Sequence, residues 1–332
     1  MSACCVLKLR DGENRLSSNS GYLHKCFPTF VGIGSMRCGS TWLYQVLKCH
    51  PDIQVSELKE VDFFFLHRMW HHDLDWYEAL FEPKDGEELK PVRGEISPRY
   101  ARLKAWQVRR IAELLPGLRI VLTLRHPIER VWSQTLYDFG RLQGRDVRKV
   151  SSLQFLRQLE RARNRLSSDY LRTIKIWSNA FGLEALHIGL FEQLRDDPEP
   201  YLNGVLKHIG TSTPWRIPAE FVQKRIWSTN SLVRHQREIP EVVRWYIADQ
   251  LLEPTERLNE FLEGRVSSWV EEMRAIRGRT RPSWRILREV NRTLLSVPER
   301  FAYEAYHATL DVRLRLRWRR LRRSHKSGIN FQ

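Results

Sequence analysis

The chain has 332 residues, of which 42% are hydrophobic and 28% are charged. This balance excludes disordered, collagenous and coiled-coil proteins and is typical of a soluble globular protein. The formal net charge is +16, with 55 Lys and Arg against 39 Asp and Glu. Such an excess indicates an anionic partner, namely a nucleotide, an acidic polymer, nucleic acid or a membrane surface, without choosing among them.

Cysteine usage and hydropathy bear on the compartment. The five cysteines, at positions 4, 5, 26, 38 and 49, form no C-x-x-C pair, which is typical of neither a disulfide framework nor a zinc site. No stretch approaches the roughly 18 apolar residues of a membrane span, and the N-terminus lacks the apolar region of a signal peptide. These features predict a cytoplasmic protein.

The first predicted elements follow a polar leader at residues 1–27. Residues 30–34 form a short apolar run that ends in glycine, and apolar residues then recur at helical spacing over 42–47, until His50 and Pro51 end the pattern. This order predicts a strand, a glycine-containing turn and a helix.

Two further apolar runs, at residues 120–124 and 185–191, are typical of buried strands, and each is associated with a helical segment. Strands that alternate with helices predict an α/β fold, a single domain with a central, mostly parallel sheet flanked by helices. We assign residues 28–280 to this domain and residues 281–332 to a basic helical C-terminal extension.

The turn after the first predicted strand has the features of a phosphate site, because backbone N–H groups and the helix dipole favour an anion there. Gly34 and Gly39 have the spacing of a P-loop kinase motif, but Ser40 stands at the position of its lysine. The cation is instead Arg37, at a position where a dinucleotide fingerprint would require glycine. An ordinary glycine-containing turn is the alternative interpretation.

The segment 33–43 resembles the 5′-phosphosulfate loop of sulfotransferases that use 3′-phosphoadenosine 5′-phosphosulfate, whose usual form is K-x-G-T-T/S. The resemblance implies a P-loop-NTPase-like fold and makes this sulfate donor the co-substrate. Arg37 takes the lysine position, where it would shield the bridging oxygen of the donor. The other residues that the resemblance assigns to donor binding are Cys38, Gly39, Ser40, Thr41 and Trp42.

The family also has a second motif, R-x-P-x-x-R-x-x-S after a buried strand, which binds the 3′-phosphate of the donor. Residues 125–133 match it at every fixed position, with Arg125, Pro127, Arg130 and Ser133. Arginine is geometrically suited to phosphate oxygens, and Ser133 lies two helical turns from Arg125. The resemblance therefore implies that Arg125 and Ser133 hold the 3′-phosphate.

Between the two motifs, residues 59–65 resemble the K-E-x-H-F-F segment of carbohydrate-type sulfotransferases. The resemblance makes Glu60 the base that deprotonates the acceptor and lets Lys59 help to neutralise the leaving phosphate. Asp62 stands where many relatives have histidine. The alternatives are that Glu60 is a surface carboxylate paired with Lys59, and that Glu95 is the base.

Further segments extend the resemblance over about residues 28–270. Trp76 and Tyr77 match a W-Y-x-x-x-F segment, and Ser97 and Tyr100 belong to an E-x-[ST]-P-x-Y segment in which they are packing or acceptor-site residues. These segments favour a carbohydrate or another hydroxyl or amine compound as the acceptor.

A metal is not expected. His67, His71 and His72 cluster near Asp73 and Asp75, but no distant ligand accompanies them. The sulfotransferases that the chain resembles do not require a metal for transfer.

The basic tail at residues 313–326 lies outside the resemblance. Its alternating arginine and apolar residues suit either an anionic membrane face or an acidic polymer, and a solvated terminus is the alternative. Specific nucleic-acid binding is not expected, because no reader motif accompanies the charge. The functional alternatives are a nucleotide kinase and a non-catalytic basic module that binds an acidic polymer or a membrane.

Overall fold

The central sheet has five strands in the order β2-β3-β1-β4-β5, and every neighbouring pair is parallel. Its strands are β1 (Phe30–Gly34), β2 (Ile53–Val55), β3 (Val92–Ile96), β4 (Arg119–Leu124) and β5 (Leu186–Leu190). The computed structural model describes residues 26–65, 72–84, 86–211, 215–219, 221, 238–290, 301, 305, 309, 311–313 and 315–319. The predicted α/β fold is confirmed.

Helices connect the strands and cover both faces of the sheet. They are α1 (Ser40–Lys48), α2 (Leu74–Ala79), α3 (Ala105–Leu114), α4 (Pro127–Tyr137), α5 (Ser152–Leu159), α6 (Ala162–Ser168), α7 (Tyr170–Phe181), α8 (Phe191–Asp196), α9 (Pro198–Ile209), α10 (Glu241–Phe261), α11 (Ser267–Gly278) and α12 (Pro282–Val290). A 3-10 turn (Pro98–Arg102) follows β3, and a π turn (Asp138–Leu142) continues α4.

The sequence patterns did not predict strands β2 and β3. β2 has only three residues, and Arg93, Gly94 and Glu95 interrupt the apolar run of β3. Because β3 lies between β2 and β1, its backbone is paired on both sides, and burial is imposed by its neighbours. The three predicted strands, by contrast, are mainly apolar, although β4 includes Arg119 and Thr123 and β5 includes His187.

Both faces of the sheet are buried, as expected for parallel strands covered by helices. Along β4, Ile120 and Leu122 point into a core shared with α3 and α7, whereas Val121 points into a core shared with α1 and α9. A third apolar cluster joins α4 and α5 to α10 and α11, and Trp284 of α12 packs at its edge, 5.8 Å from the ring of Trp245.

The chain ends lie partly outside the described residues. The predicted leader, 1–27, falls outside them up to residue 25, as does the part of the basic tail from residue 320 onward. No helix in the described part of the chain is long and apolar enough to cross a membrane.

Candidate active site

The crevice at the carboxyl edge of the sheet is set by the strand order. From β1 the chain turns towards β2 and β3 on one side, and it later returns to β4 on the other side of β1. Such a switch point in strand order is where open α/β sheets bind ligands. The loops after β1 and β4 therefore meet, and both predicted phosphate motifs lie on them.

The loop after β1 is shaped for close approach of the backbone. The Ser35 N–H donates to Thr123 O of β4 at 2.8 Å, which fixes the loop to the neighbouring strand. Gly39 precedes α1 in the left-handed region, at φ 85°, and a Cβ there would lie 2.4 Å from Leu194 Cδ2. Glycine is thus required, and the first N–H groups of α1, from Ser40 onward, have no acceptor within the helix.

Arg37 and Ser133, 96 residues apart in the chain, are in direct contact. The Arg37 Nε–H donates to Ser133 Oγ at 3.1 Å, and the Arg37 guanidinium lies 4.9 Å from the ring centre of Tyr137. This contact brings the cation of the first predicted phosphate motif onto the serine of the second.

Arg125 completes this group from the end of β4. Its Nη1–H donates to the backbone oxygen of Arg37 at 3.2 Å, its guanidinium lies 4.5 Å from the ring centre of Phe191, and Glu129 lies 3.7 Å from its Nη2. Burial lowers the pKa of Arg37, and the neighbouring Arg125 charge lowers it further. Two guanidinium groups that lie together in this way favour an anion as a ligand.

The remaining residues of the loop motif divide into buried and accessible ones. Cys38 is buried, and burial raises the pKa of its thiol to about 12. Trp42 is 1% exposed, with its indole N–H donating to Phe221 O at 3.1 Å and its ring edge against Tyr201. Ser40 is half-buried and Thr41 is exposed. Donor binding by all these residues stays a prediction, and for Cys38 it would use the backbone.

Lys59 and Glu60 form an ion pair at the same edge of the sheet. Lys59 Nζ lies 2.8 Å from Glu60 Oε1, and 37% of the Glu60 side chain is exposed. This pairing is the one that the surface-carboxylate alternative anticipated. It leaves Glu60 accessible to an acceptor as well, so its role as a base stays a prediction.

Glu95, the alternative base, lies in a different environment. It is 0% exposed, and its Oε1 accepts hydrogen bonds from the hydroxyls of Tyr77, at 2.7 Å, and Tyr100, at 2.9 Å. Its Oε2 accepts a hydrogen bond from Ser97 Oγ. Burial raises the pKa of Glu95 to about 7, although the three hydroxyls oppose this shift.

Several contacts near these residues could not be predicted from the sequence. Asp62 is buried and pairs with Arg99, with Oδ2 and Nη1 3.3 Å apart, so the residue that replaces the usual histidine has an electrostatic partner. Arg130, a fixed position of the second motif, is fully buried and donates to Ser168 Oγ at 2.6 Å and to Asn164 O at 3.1 Å. The motif identified Arg130 but not its partners, because they lie 34 and 38 residues further along.

The C-terminal segment 311–319 returns to this side of the molecule. Trp318 is 9% exposed and stacks on Phe64 with ring centres 6.2 Å apart. Asp311 accepts a hydrogen bond from the indole N–H of Trp106 at 2.9 Å and pairs with Lys104 at 3.2 Å. Within the described part of the predicted tail at 313–326, Trp318 is therefore packed on the α/β core, whereas Arg313 and Arg319 are exposed.

The histidine cluster shows no metal geometry where the structure describes it. His72 stacks on Trp76 with ring centres 3.7 Å apart, and Asp73 caps α2 by accepting the Trp76 N–H. His67 and His71 lie outside the described residues. Among the described residues, no three His, Cys, Asp or Glu side chains come together as metal ligands.

Comparison with known proteins agrees with this geometry. The family model described as "Sulfotransferase family" matches residues 97–215, which include the second phosphate motif. The membrane-associated sulfotransferase kil1 of Dictyostelium discoideum is 32% identical over 115 residues, which is 35% of this chain and 23% of kil1. Over residues 97–215 the chain is thus similar to the sulfotransferase family.

Another similar protein is also longer than this chain. The bifunctional heparan sulfate N-deacetylase/N-sulfotransferase 1 of Mus musculus is 26% identical over 204 residues, which is 56% of this chain and 22% of that protein. The present chain thus spans less than a quarter of the length of these two relatives. A crystal structure of a sulfotransferase from Alicyclobacillus acidocaldarius shares the fold, with a TM-score of 0.58 and 22% identity over 73% of this chain and 98% of that one.

Proposed function

We propose that the chain transfers a sulfuryl group from 3′-phosphoadenosine 5′-phosphosulfate to a hydroxyl or amine of a carbohydrate or glycoconjugate. The observation that carries this proposal is the contact of Arg37 with Ser133 and Arg125 at the switch point of the sheet. A donor with phosphates on both the 5′ and the 3′ side needs cations from two separate motifs in one crevice. The match of residues 97–215 to the sulfotransferase family model and the similarity to a heparan sulfate N-deacetylase/N-sulfotransferase support the reaction type and the acceptor class.

In the proposed mechanism the acceptor oxygen or nitrogen attacks sulfur in line with the bridging oxygen. Glu60 takes the proton that the acceptor loses, the new bond to sulfur forms, and the bond from sulfur to the bridging oxygen breaks. Arg37 stabilises the negative charge that develops on that oxygen, with Lys59 as a second cation. Arg125 and Ser133 hold the 3′-phosphate, and the product is 3′-phosphoadenosine 5′-phosphate. No metal takes part in this proposal.

Calorimetry tests the donor assignment without an acceptor. We expect 3′-phosphoadenosine 5′-phosphate to bind the wild type more tightly than ATP and more tightly than adenosine 5′-phosphate. Arg125→Ala should weaken binding of the 3′-phosphorylated ligand by about 10- to 100-fold and of adenosine 5′-phosphate by much less. Arg148→Ala is the matched control, because Arg148 pairs with Asp146 on the surface. Equal losses for both nucleotides would remove the 3′-phosphate assignment.

A second experiment tests the base. Glu60→Gln should lower sulfuryl transfer to an N-desulfated heparan sulfate oligosaccharide by about 10²- to 10⁴-fold and leave nucleotide binding unchanged. Glu57→Gln is the control, since Glu57 lies in the same loop and pairs at the surface with Lys48 and Lys84. Retained turnover in Glu60→Gln would move the base elsewhere.

The calorimetry also separates the alternatives. A nucleotide kinase would prefer ATP, against which stands Ser40 at the position of the P-loop lysine. A non-catalytic basic module would bind neither nucleotide tightly. Both alternatives are weaker, because neither explains two arginines from separate motifs in one crevice.

The partners and the domain limits remain part of the proposal. The carbohydrate acceptor would bind beside Glu60, while the tail at 313–326 would contact an anionic membrane surface or an acidic polymer. Arg313 and Arg319 are exposed, which supports such a contact, and residues 320–326 lie outside the described residues. We also propose a cytoplasmic location, peripheral at a membrane. The proposed domain spans residues 28–280 and is followed by a basic extension. Sedimentation with phosphatidylserine vesicles tests the membrane contact, and a heparin column tests the polymer.

A further inference from the structure

The side chains around Glu95 form a relay that ends on the backbone of the loop that carries Glu60. Glu95 lies in β3 with no exposed surface, and each of its oxygens accepts a hydrogen bond from a hydroxyl of Tyr77, Ser97 or Tyr100. Above pH 7, where the Glu95 carboxyl is mainly ionised, it only accepts hydrogen bonds and so fixes the direction in which these hydroxyl hydrogens point.

Two of the three hydroxyls also contact the loop. The Asp62 N–H donates to Ser97 Oγ at 3.0 Å, and the Phe64 N–H donates to Tyr100 OH at 3.3 Å. A hydroxyl has one hydrogen, and when Glu95 accepts it, only the lone pairs of the oxygen remain for other partners. Glu95 thereby prepares Ser97 and Tyr100 as acceptors for two backbone N–H groups of the loop.

The loop needs such support, because its backbone is unfavourable for its residues. Glu60 and Asp62 have positive φ angles of 58° and 52°, in the left-handed region that non-glycine residues rarely adopt. Conformations of this kind persist only where the surrounding structure over-determines them. The N–H groups of Asp62 and Phe64, which donate these hydrogen bonds, follow Glu60 by two and four residues. They can therefore fix the direction in which the Glu60 side chain leaves the loop.

We propose that Glu95 is a positioning residue, which orients the Ser97 and Tyr100 hydroxyls so that they hold the 60–64 loop and present Glu60 to the acceptor. This inference rests on the proposed function of Glu60 as the base. It also gives Glu95 a role other than proton transfer to substrate, because a carboxylate without exposed surface and with three hydroxyl donors has no free face for an acceptor.

The variants are chosen to change the relay in different ways. Glu95→Gln keeps the shape of the side chain but replaces one carboxylate oxygen by an NH2 group. This group donates a hydrogen bond, so the hydroxyl opposite it can no longer donate to residue 95. Tyr100→Phe removes the acceptor of the Phe64 N–H. Tyr77→Phe is the matched control, because the Tyr77 hydroxyl donates to the same Oε1 but has no bond to the loop backbone.

Hydrogen exchange of the 57–65 peptide gives a readout that needs neither donor nor acceptor. We expect Glu95→Gln and Tyr100→Phe to exchange about tenfold faster than wild type at Asp62 and Phe64, and Tyr77→Phe to change by less than threefold. Exchange in β4, measured in the same samples, should be unchanged and shows that the variants are folded. If Glu95→Gln does not fold, Tyr100→Phe and Tyr77→Phe carry the test by themselves. Equal exchange in these two variants would overturn the relay.

Kinetics then link the relay to the base. With N-desulfated heparan sulfate as the acceptor, Glu95→Gln and Tyr100→Phe should lower kcat by at least tenfold, with an unchanged KM for the sulfate donor. Loop exchange that speeds up while kcat stays at the wild-type value would overturn the positioning role. If the wild type transfers no sulfuryl group at all, the proposed function fails, and the exchange data still decide whether Glu95 orders the loop.

Discussion

The proposed donor side of the site, with Arg37 and Arg125, and its proposed acceptor side, with Glu95 and the 60–64 loop, differ in the sign of their charge and in how that charge is paired. On the donor side Arg37 and Arg125 lie together, and burial, with a further contribution from the Arg125 charge, lowers the pKa of Arg37. On the acceptor side Glu95 is enclosed by three hydroxyls that donate to it. The donor side thus gains stability when an anion arrives, whereas the acceptor side is already internally bonded and holds a loop in place.

The largest effect that would test this contrast is at Arg37. Arg37→Ala should lower sulfuryl transfer by about 10²- to 10³-fold, since a group that stabilises developing charge is lost. Arg37→Lys should retain most of the activity, because it keeps the charge. Initial rates with a labelled sulfate donor measure both variants. A lysine variant as inactive as the alanine variant would show that the guanidinium geometry matters more than the charge.

A substitution at Trp318 tests whether the C-terminal segment stabilises the acceptor side without affecting the donor side. Trp318→Ala should lower the free energy of unfolding by about 3 kcal/mol, because a buried ring stacked on Phe64 is lost. Binding of 3′-phosphoadenosine 5′-phosphate should be unchanged. Chemical denaturation and calorimetry measure the two quantities, with exposed Arg319→Ala as the control. An equal loss of nucleotide affinity would mean that the two sides are coupled.

The pH dependence of stability tests the buried carboxyl. The pKa of Glu95 in the folded protein is about 7, above its usual value, so its favourable contribution is present at low pH and is lost as pH rises through about 7. Gln does not titrate, so the Glu95→Gln variant does not lose stability at this position as the pH rises. The unfolding free energy of the variant relative to wild type should therefore increase between pH 5 and pH 8, by on the order of 2 kcal/mol.

Denaturation of both proteins at the two pH values isolates this effect, because the other titrating groups are common to them. The groups that face Glu95 are Tyr77, Tyr100 and Ser97, with Asp62 also raising its pKa. A constant difference between the proteins would mean that Glu95 has the same charge at both pH values.

Salt gives the smallest expected effect. Raising NaCl from 50 to 500 mM should weaken binding of 3′-phosphoadenosine 5′-phosphate by about tenfold or less, because mobile ions screen the attraction between Arg37, Arg125 and the phosphates. Hydrogen exchange at Asp62 and Phe64 should stay unchanged over the same range, since the Glu95 relay is buried. A salt-sensitive loop would remove the contrast between the two sides.

Features that depend on neighbouring residues could be predicted from the sequence. Mainly apolar runs predicted β1, β4 and β5, because parallel strands covered by helices on both faces are rich in apolar residues. The glycine and arginine spacing of the loop at 34–41, and the second motif at 125–133, predicted the two loops that carry Arg37 and Arg125, because each motif lies within ten residues of chain. Donor binding at these loops stays a prediction.

Features that depend on contacts between distant residues could not be predicted from the sequence. The strand order put the loops after β1 and β4 together, and with them Arg37 and Ser133, 96 residues apart. It also enclosed Glu95 with hydroxyls from the α2 helix and the turn after β3, and it returned Trp318 to Phe64. Burial and hydrogen-bond partners at such separations follow from how the whole chain packs, and no short segment encodes them.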